Sequence, residues 1–380
     1  MLKALKVGGL TIGNNVFAAP MAGVSDAAFR HICEGMGVGL AFGEMVSSDA
    51  LTRGNRKTGA LLARVPSDWP FAVQLFGRDP GVMAEAALIA AEMGADLIDV
   101  NMGCPMPKVT GGGAGAALMR DPALAAGIVG AVCGALAGAG SGVPVSVKMR
   151  KGWDAGDANA AELARAVVDA GAAMVTVHGR TREQGHGGAA DWDAIRGVKA
   201  AVAVPVIGNG DVTGPAAAER MLAETGCDGV MVGRAMRGNP WVLRRIVRHL
   251  GALGADGAVG ADGERPGPTG FGGEDAGQAC DKSGTMLEIN AGTERGHGDG
   301  ADGPSYAESG ATAAEVLDMV AYHYGLMAGF VGEEVAAMEM RKHVAWYLKG
   351  LPNAAAARDR VFHTERFEDA MDYLRGLYGR

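Results

Sequence analysis

The sequence lacks several features that would each define a class of protein. No apolar run reaches the length of a signal peptide or the ~18 residues of a membrane helix, so we expect a cytoplasmic protein with no membrane partner. The five cysteines form no CxxC pair, which argues against a structural metal site or a redox disulfide. Aromatic residues are few, at 5%, but 48% hydrophobic and 21% charged residues are ordinary for a globular protein.

A net positive charge is also missing, although its absence is weak evidence against RNA binding. The chain carries −8, and residues 251–310 alone contain 11 acidic and 3 basic residues, so the remainder sums to zero and can still present a basic face. The same segment has 17 glycines among 60 residues and no hydrophobic period. We therefore predict a flexible, mostly disordered insertion at 251–310.

Short β-branched apolar runs alternate with longer Ala-rich amphipathic runs from Val16 to Arg234, a pattern typical of repeated βα units. Eight such strands predict a (β/α)8 TIM barrel over 1–250, because a Rossmann fold would need GxGxxG after its first strand. Helical periodicity after the insertion predicts a small helical domain at 311–380. The predicted strands are 16–20, 40–46, 71–77, 96–105, 143–149, 174–180, 204–211 and 229–234.

Local signals mark the ends of several predicted helices. Asp26, Asp79 and Asp121 stand where N-terminal caps are expected, the latter two followed by proline. Gly37 and Gly94 stand where left-handed C-terminal caps are expected.

Polar residues collect at the carboxyl ends of the predicted strands, where TIM barrels build their active sites. Two glycine-containing loops, 209–211 and 233–234, follow the last two strands and predict a phosphate site, with Arg234 adding charge. Lys148 could stabilise the negative charge of a reduced flavin, and Gln74 could pair with a flavin edge. The structural alternative for Lys148 is a salt bridge to Asp99.

Cys104 lies between Gly103 and Pro105, in a turn that should present its thiol at the barrel mouth. That thiol could be a nucleophile, a general acid or a buried inert group. His178 and Arg180 follow the sixth strand and suit an anionic ligand, while the alternative for His178 is loop support.

The motifs APMAGVSD, DVNMGCPMPKV, VKMRKGWD, VTVHGRTR, VIGNGDV and RKHVAWYLKG, in this order, resemble those of bacterial tRNA-dihydrouridine synthases of the B type. The resemblance implies FMN as cofactor, NADPH or NADH as reductant and tRNA as partner, with uridines of the D-loop reduced. It also implies Cys104 as proton donor, no metal and no obligate protein partner. The implied FMN contacts are Pro20, Met21, Ala22, Gln74, Lys148, His178, Asn209, Gly210, Asp211, Gly233 and Arg234.

The resemblance also implies substrate contacts in both domains. Asn101 matches a position close to flavin and uracil, and Arg180 lies in the neighbouring loop. Two other functions fit the residues: a small-molecule flavin oxidoreductase of the dihydroorotate dehydrogenase kind, and a tRNA-binding protein without turnover. The expected tRNA contacts of the helical domain are Arg341, Lys342, His343 and Lys349.

Overall fold

A computed structural model of the chain describes residues 1–255 and 310–379. Most of the predicted insertion, 256–309, therefore lies outside the described residues, as does Cys280. Within the described ranges, no helix is both long enough and apolar enough to cross a membrane.

The predicted TIM barrel is confirmed. The parallel strands close into a ring. The strand Leu40–Phe42 (β4) forms hydrogen bonds both to Val16–Ala18 (β3) and to Phe71–Phe76 (β6), so the barrel has no free edge there. The short β5 continues beside β6 after β4 ends, so β4 and β5 share one of the eight strand positions. The barrel strands are β3 (Val16–Ala18), β4 (Leu40–Phe42), β5 (Val46–Ser47), β6 (Phe71–Phe76), β7 (Leu97–Met102), β8 (Val145–Gly152), β9 (Met174–Thr181), β10 (Val206–Asn209) and β11 (Gly229–Val232).

Helices alternate with these strands, and the predicted caps are present. The carboxylates of Asp26, Asp79 and Asp121 each accept a hydrogen bond from a backbone N–H in the first turn of their helix. Gly37 and Gly94 both have φ +87°, as predicted for C-terminal caps. The helices are α1 (Ala27–Gly35), α2 (Ser48–Thr52), α3 (Arg56–Ala60), α4 (Pro80–Glu92), α5 (Pro107–Thr110), α6 (Pro122–Gly138), α7 (Ala160–Asp169), α8 (Trp192–Ala201), α9 (Pro215–Thr225) and α10 (Trp241–Ala255), which extends past the predicted boundary at 250.

The amino-terminal end of the barrel is closed by a hairpin that the sequence analysis did not predict. Its strands, β1 (Leu5–Val7) and β2 (Leu10–Ile12), pair antiparallel. Val7 and Ile12 are fully buried in a separate apolar cluster with residues from the first half of the barrel strands. That cluster includes Phe17, Leu40, Leu97, Met174 and Ile207. Because alternate residues of a strand face the same side, the residues two or four positions further along form the next interior layers.

The C-terminal region is helical, as predicted, and its described residues 310–379 form four helices. They are α11 (Ala313–Val331), α12 (Glu333–Tyr347), α13 (Ala354–Phe362) and α14 (Phe367–Tyr378). A capping box between Thr312 and Glu315 begins α11. The helices pack on the barrel, since Phe29 of α1 stacks on His323 with ring centroids 5.7 Å apart and the Arg237 guanidinium lies 5.3 Å from the Trp346 ring centroid.

Candidate active site

The interior of the barrel becomes polar toward the carboxyl ends of its strands. Asp99 is the centre of a buried network: Gln74 Nε2 donates to its Oδ2 at 2.7 Å, and Ser146 Oγ donates to its Oδ1 at 2.6 Å. Burial raises the pKa of Asp99 to about 6 despite these bonds and the nearby Lys148. Asn101 Nδ2 donates to Gln74 Oε1 at 2.8 Å, so one network orients both amides.

Asn101 also fixes the turn that carries Cys104. Its Oδ1 accepts from the backbone N–H groups of Gly103 at 3.1 Å and Cys104 at 2.9 Å. On the other side, Gly115 has φ +60°, and an added Cβ would lie 2.9 Å from the Cys104 carbonyl oxygen. The partly buried thiol of Cys104 is therefore carried by a turn held on two sides.

Arg150 is a residue of this site that the sequence analysis missed. Its Nε donates to the Gly103 carbonyl at 2.7 Å, and its Nη1 donates to the carbonyls of Thr181 at 2.9 Å and Gly185 at 2.8 Å. The side chain is only 5% exposed. Arg150 thus ties the Cys104 turn to the loop after β9, and its spacing of two residues from Lys148 on one strand was the available signal.

Lys148 stands between Asn101 of β7 and Thr176 of β9 in the strand pairing. Within residues 1–255 and 310–379, no salt bridge joins Lys148 to Asp99. The alternative explanation of Lys148 as a partner of Asp99 is therefore not observed. Burial, followed by the Arg150 charge, lowers the pKa of Lys148 to about 8. Burial also raises the pKa of the Cys104 thiol, although Arg150 and Lys148 oppose the shift. At neutral pH the site therefore combines a protonated thiol with a lysine that is still largely cationic.

Strand β9 places buried polar atoms without partners at the same end. His178 Nδ1, Thr176 Oγ1 and Arg180 Nη1 make no hydrogen bond to any described residue. Burial and the neighbouring cations keep the pKa of His178 well below its usual value, so the imidazole is neutral. Because unpaired buried polar groups are rare and costly, these atoms favour a polar ligand at the barrel mouth.

The two loops predicted to bind phosphate lie next to each other across the β10–β11 pairing. Gly210 has φ +113°, and Asp211 adopts a left-handed conformation with φ +57°. An added Cβ on Gly233 would meet only Ala19, at 3.9 Å, so a ligand could approach this backbone closely. Asn209 Nδ2 donates to the Met231 carbonyl at 2.8 Å and links the end of β10 to β11.

Arg180 supports this region through Asp211. Its Nη2 donates to Asp211 Oδ1 at 2.7 Å and Oδ2 at 2.9 Å, while the carbonyls of Gly187 and Gly188 accept its remaining bonds. The Asp211 carboxylate also lies 3.9 Å from Arg234 Nη2. Arg180 is only 2% exposed, and the hydrogen bonds described above join it to the loops around Asp211 and Gly188. Its Nη1 makes no hydrogen bond to a described residue and could donate to a ligand.

The loop after β3 carries Pro20, Met21 and Ala22, which are partly or fully exposed. Met21 N–H donates to Ser25 Oγ at 2.8 Å, and this bond shapes the loop. Lys342 of α12 reaches the same loop, since its Nζ lies 3.7 Å from the Cβ position of Gly23. The helical region therefore contributes a cation beside the barrel loop that follows β3.

The four predicted tRNA contacts occupy different environments. Arg341 donates to the Thr364 carbonyl at 3.1 Å, and Lys342 pairs with Glu339. Lys349 is partly buried just beyond the end of α12. His343 is only 1% exposed, so the expected contact of this residue with RNA does not fit its position. Helical periodicity explains the difference, because His343 shares the buried face of α12 with Met340, Val344 and Tyr347.

Known proteins of one family are similar to this chain over most of its length. The family profile described as dihydrouridine synthase matches residues 17–252. A probable tRNA-dihydrouridine synthase of Rickettsia conorii is 38% identical over 358 residues, covering 94% of this chain and 91% of the relative. A protein of the same name from Rhodobacter capsulatus is 39% identical, covering 90% and 87%. The tRNA-dihydrouridine synthase B of Pseudomonas aeruginosa is 34% identical, covering 94% and 90%.

Proposed function

The chain belongs to the dihydrouridine synthase family, and from this premise we propose that it is a tRNA-dihydrouridine synthase, an oxidoreductase that saturates the C5=C6 bond of uridines in tRNA. The observation that carries the proposal at the level of chemistry is that Asn101, which pairs with Lys148 in the β7–β8 register, also holds the turn of Cys104 through its Oδ1. The barrel, 1–250, is the proposed catalytic domain, and 311–380 the tRNA-binding domain. A cytoplasmic location is proposed together with tRNA as the substrate.

FMN is the proposed cofactor, because buried unpartnered atoms and an open glycine backbone both favour a ligand with polar edges and a phosphate. Its ring would be held by Gln74, Lys148 and His178. When bound, FMN supplies hydride transfer from NADPH or NADH to C6 of uracil. The remaining contacts would come from the loops after β3, β10 and β11, through Pro20, Met21, Ala22, Asn209, Gly210, Asp211, Gly233 and Arg234.

Cys104 is the proposed general acid for C5 of uracil. Saturating the double bond requires one hydride and one proton, and a thiol whose pKa is raised by burial keeps its proton at neutral pH. Asn101 and Arg150 hold the turn that carries the thiol, and Lys148 offsets negative charge that develops near it. The protein's contribution is thus an aligned acid and a fixed cation.

The tRNA must release the target uridine from its stack to reach this depth. Lys342 lies beside the loop after β3 and is proposed to contact the RNA backbone, together with Arg341 and Lys349. Asn101 and the Nη1 group of Arg180 are the proposed contacts nearer the base. Uridines of the D-loop are the proposed targets.

Mass spectrometry of tRNA tests the proposal directly. Nucleosides and tRNA fragments from a deletion strain would be compared with those after adding back wild type, Cys104→Ala or Cys133→Ala. Wild type and Cys133→Ala, whose thiol lies in α6, should restore dihydrouridine at D-loop positions, whereas Cys104→Ala should not. Dihydrouridine unchanged at every position in a deletion strain without a second synthase would overturn the assignment. Restoration outside the D-loop would overturn only the proposed target.

The reductant and cofactor require purified protein. FMN should be released on denaturation and identified by its mass, and single-turnover reduction with NADPH and NADH should define the hydride donor. Protein that binds no flavin under reconstitution would overturn the cofactor proposal.

A further inference from the structure

Three potential metal ligands meet where the barrel contacts the C-terminal helices, and none of them has a role in the proposed reaction. Asp26 caps α1, His323 lies in α11 and His343 lies in α12. Each offers one ligand atom, and these atoms lie within 4.8 Å of one another. This Asp26, His323 and His343 group is called the interdomain cluster below.

The interdomain cluster contains two buried nitrogen atoms without partners. His323 is 0% exposed and His343 is 1% exposed, and the Nε2 atoms of both make no hydrogen bond to any described residue. Leaving a buried polar atom unpaired costs on the order of 1–3 kcal/mol, and here two occur together. A ligand that bonds to both nitrogen atoms would remove this cost.

The other polar atoms of the cluster are already engaged in ways that leave these nitrogens available. Asp26 Oδ1 accepts from Phe29 N–H at 2.9 Å, so Oδ2 remains, 3.6 Å from His343 Nε2. His323 Nδ1 lies 3.3 Å from the Tyr347 hydroxyl, an outer partner of the kind that fixes the ring of a metal-binding histidine. The two imidazoles meet edge to face, with centroids 4.5 Å apart.

We propose that Asp26 Oδ2, His323 Nε2 and His343 Nε2 bind a divalent transition-metal ion of the zinc class, which fastens α1 of the barrel to α11 and α12. Two imidazoles and a carboxylate, with a water molecule in the fourth position, form a ligand set that zinc accepts at about 2.0–2.2 Å. Tetrahedral bonds of that length separate ligand atoms by about 3.3–3.6 Å. The His343 to Asp26 distance of 3.6 Å fits this separation, and a pair at the upper bound of 4.8 Å would have to close by about 1.2–1.5 Å on binding.

The site joins three helices from two ends of the sequence. Its role is therefore to hold the helical region on the barrel, and the chemistry at Cys104 does not pass through it.

The test uses the full chain with FMN supplied and any affinity tag removed. Metal content would be measured by inductively coupled plasma mass spectrometry, and Co2+ added to chelator-treated protein would be followed by visible d–d absorption. About one zinc ion per chain is expected in wild type, with a tetrahedral Co2+ spectrum. Chelation should lower the melting temperature, and Zn2+ should restore it.

His323→Gln and His343→Gln should lose the metal, whereas the control His363→Gln, an exposed histidine just after α13, should keep it. Wild type that is folded but metal-free, with no Co2+ spectrum and no Zn2+ effect on melting, would overturn the proposal. Equal metal in His343→Gln and wild type would overturn it as well. Because the wild-type measurement decides alone, variants that fail to fold leave the test intact, and dihydrouridine formation tests the enzyme assignment separately.

Discussion

Replacing Arg150 with lysine should release the turn that carries Cys104. The guanidinium donates to three carbonyls, at 2.7, 2.9 and 2.8 Å, whereas one ammonium group can keep only about one of these contacts. A hydrogen bond from a charged group contributes about 1.5–3 kcal/mol, so two lost bonds predict a decrease of about 3–6 kcal/mol in the free energy of unfolding. With Arg150 only 5% exposed, water cannot readily replace them.

Two measurements check this prediction. Urea unfolding followed by circular dichroism gives the stability change, and peptide mass spectrometry gives the alkylation rate of Cys104, which should rise when its turn is released. Arg196→Lys is the matched control, because Arg196 lies on the surface of α8 in a pair with Asp193. If Arg150→Lys unfolds within about 0.5 kcal/mol of wild type and its Cys104 alkylates at the wild-type rate, Arg150 does not hold the turn.

Further predictions concern the polar layer, the hairpin and a cap. Lys148→Met should make the midpoint potential of bound flavin more negative in a spectroelectrochemical titration, because a cation near the reduced ring is lost; an unchanged potential would contradict its proposed place. The raised pKa of Asp99 favours folding below pH 3.8, an advantage that is lost as pH rises through about 6, so Asp99→Asn should remove about 2 kcal/mol of the stability difference between pH 4 and pH 7 in urea titrations. Ile12→Ala should cost about 2–5 kcal/mol in the same assay, since the side chain is fully buried in the hairpin; a smaller loss would mean that the hairpin packs loosely. Asp79→Ala should cost about 1 kcal/mol by removing the cap of α4, with Asp79→Asn as the control that retains it.

The sequence was sufficient for the barrel because its signals are local. A strand buried on both faces must be apolar, and a helix must satisfy its first N–H groups, so runs such as 71–77 and caps such as Asp26 can be read without tertiary information. The hairpin was missed because each of its strands has only three residues and gains stability by contact with the barrel end.

The sequence predicts where the candidate site lies, but it does not predict which side chains in the site contact each other. Strand ends located Lys148, Cys104 and Asn101, since parallel strands end on one side of a barrel. The hydrogen-bond partner of each side chain depends on distances in the folded protein, which the sequence alone does not give. Arg180 contacts Asp211, His343 faces inward toward His323, and Arg150 joins the Cys104 turn to the end of β9 and its loop; all three are tertiary contacts between distant segments.

The hairpin across the amino-terminal end has a kinetic consequence. Among the described residues, Val7, Ile12 and their apolar cluster close that end, which leaves the carboxyl ends of the strands for ligands. If the proposed reductant and the target nucleotide both bind there, we expect them to bind in turn, the first leaving before the second arrives. Double-reciprocal plots of initial velocity at several fixed concentrations of one substrate should therefore be parallel lines, the signature of alternating occupancy.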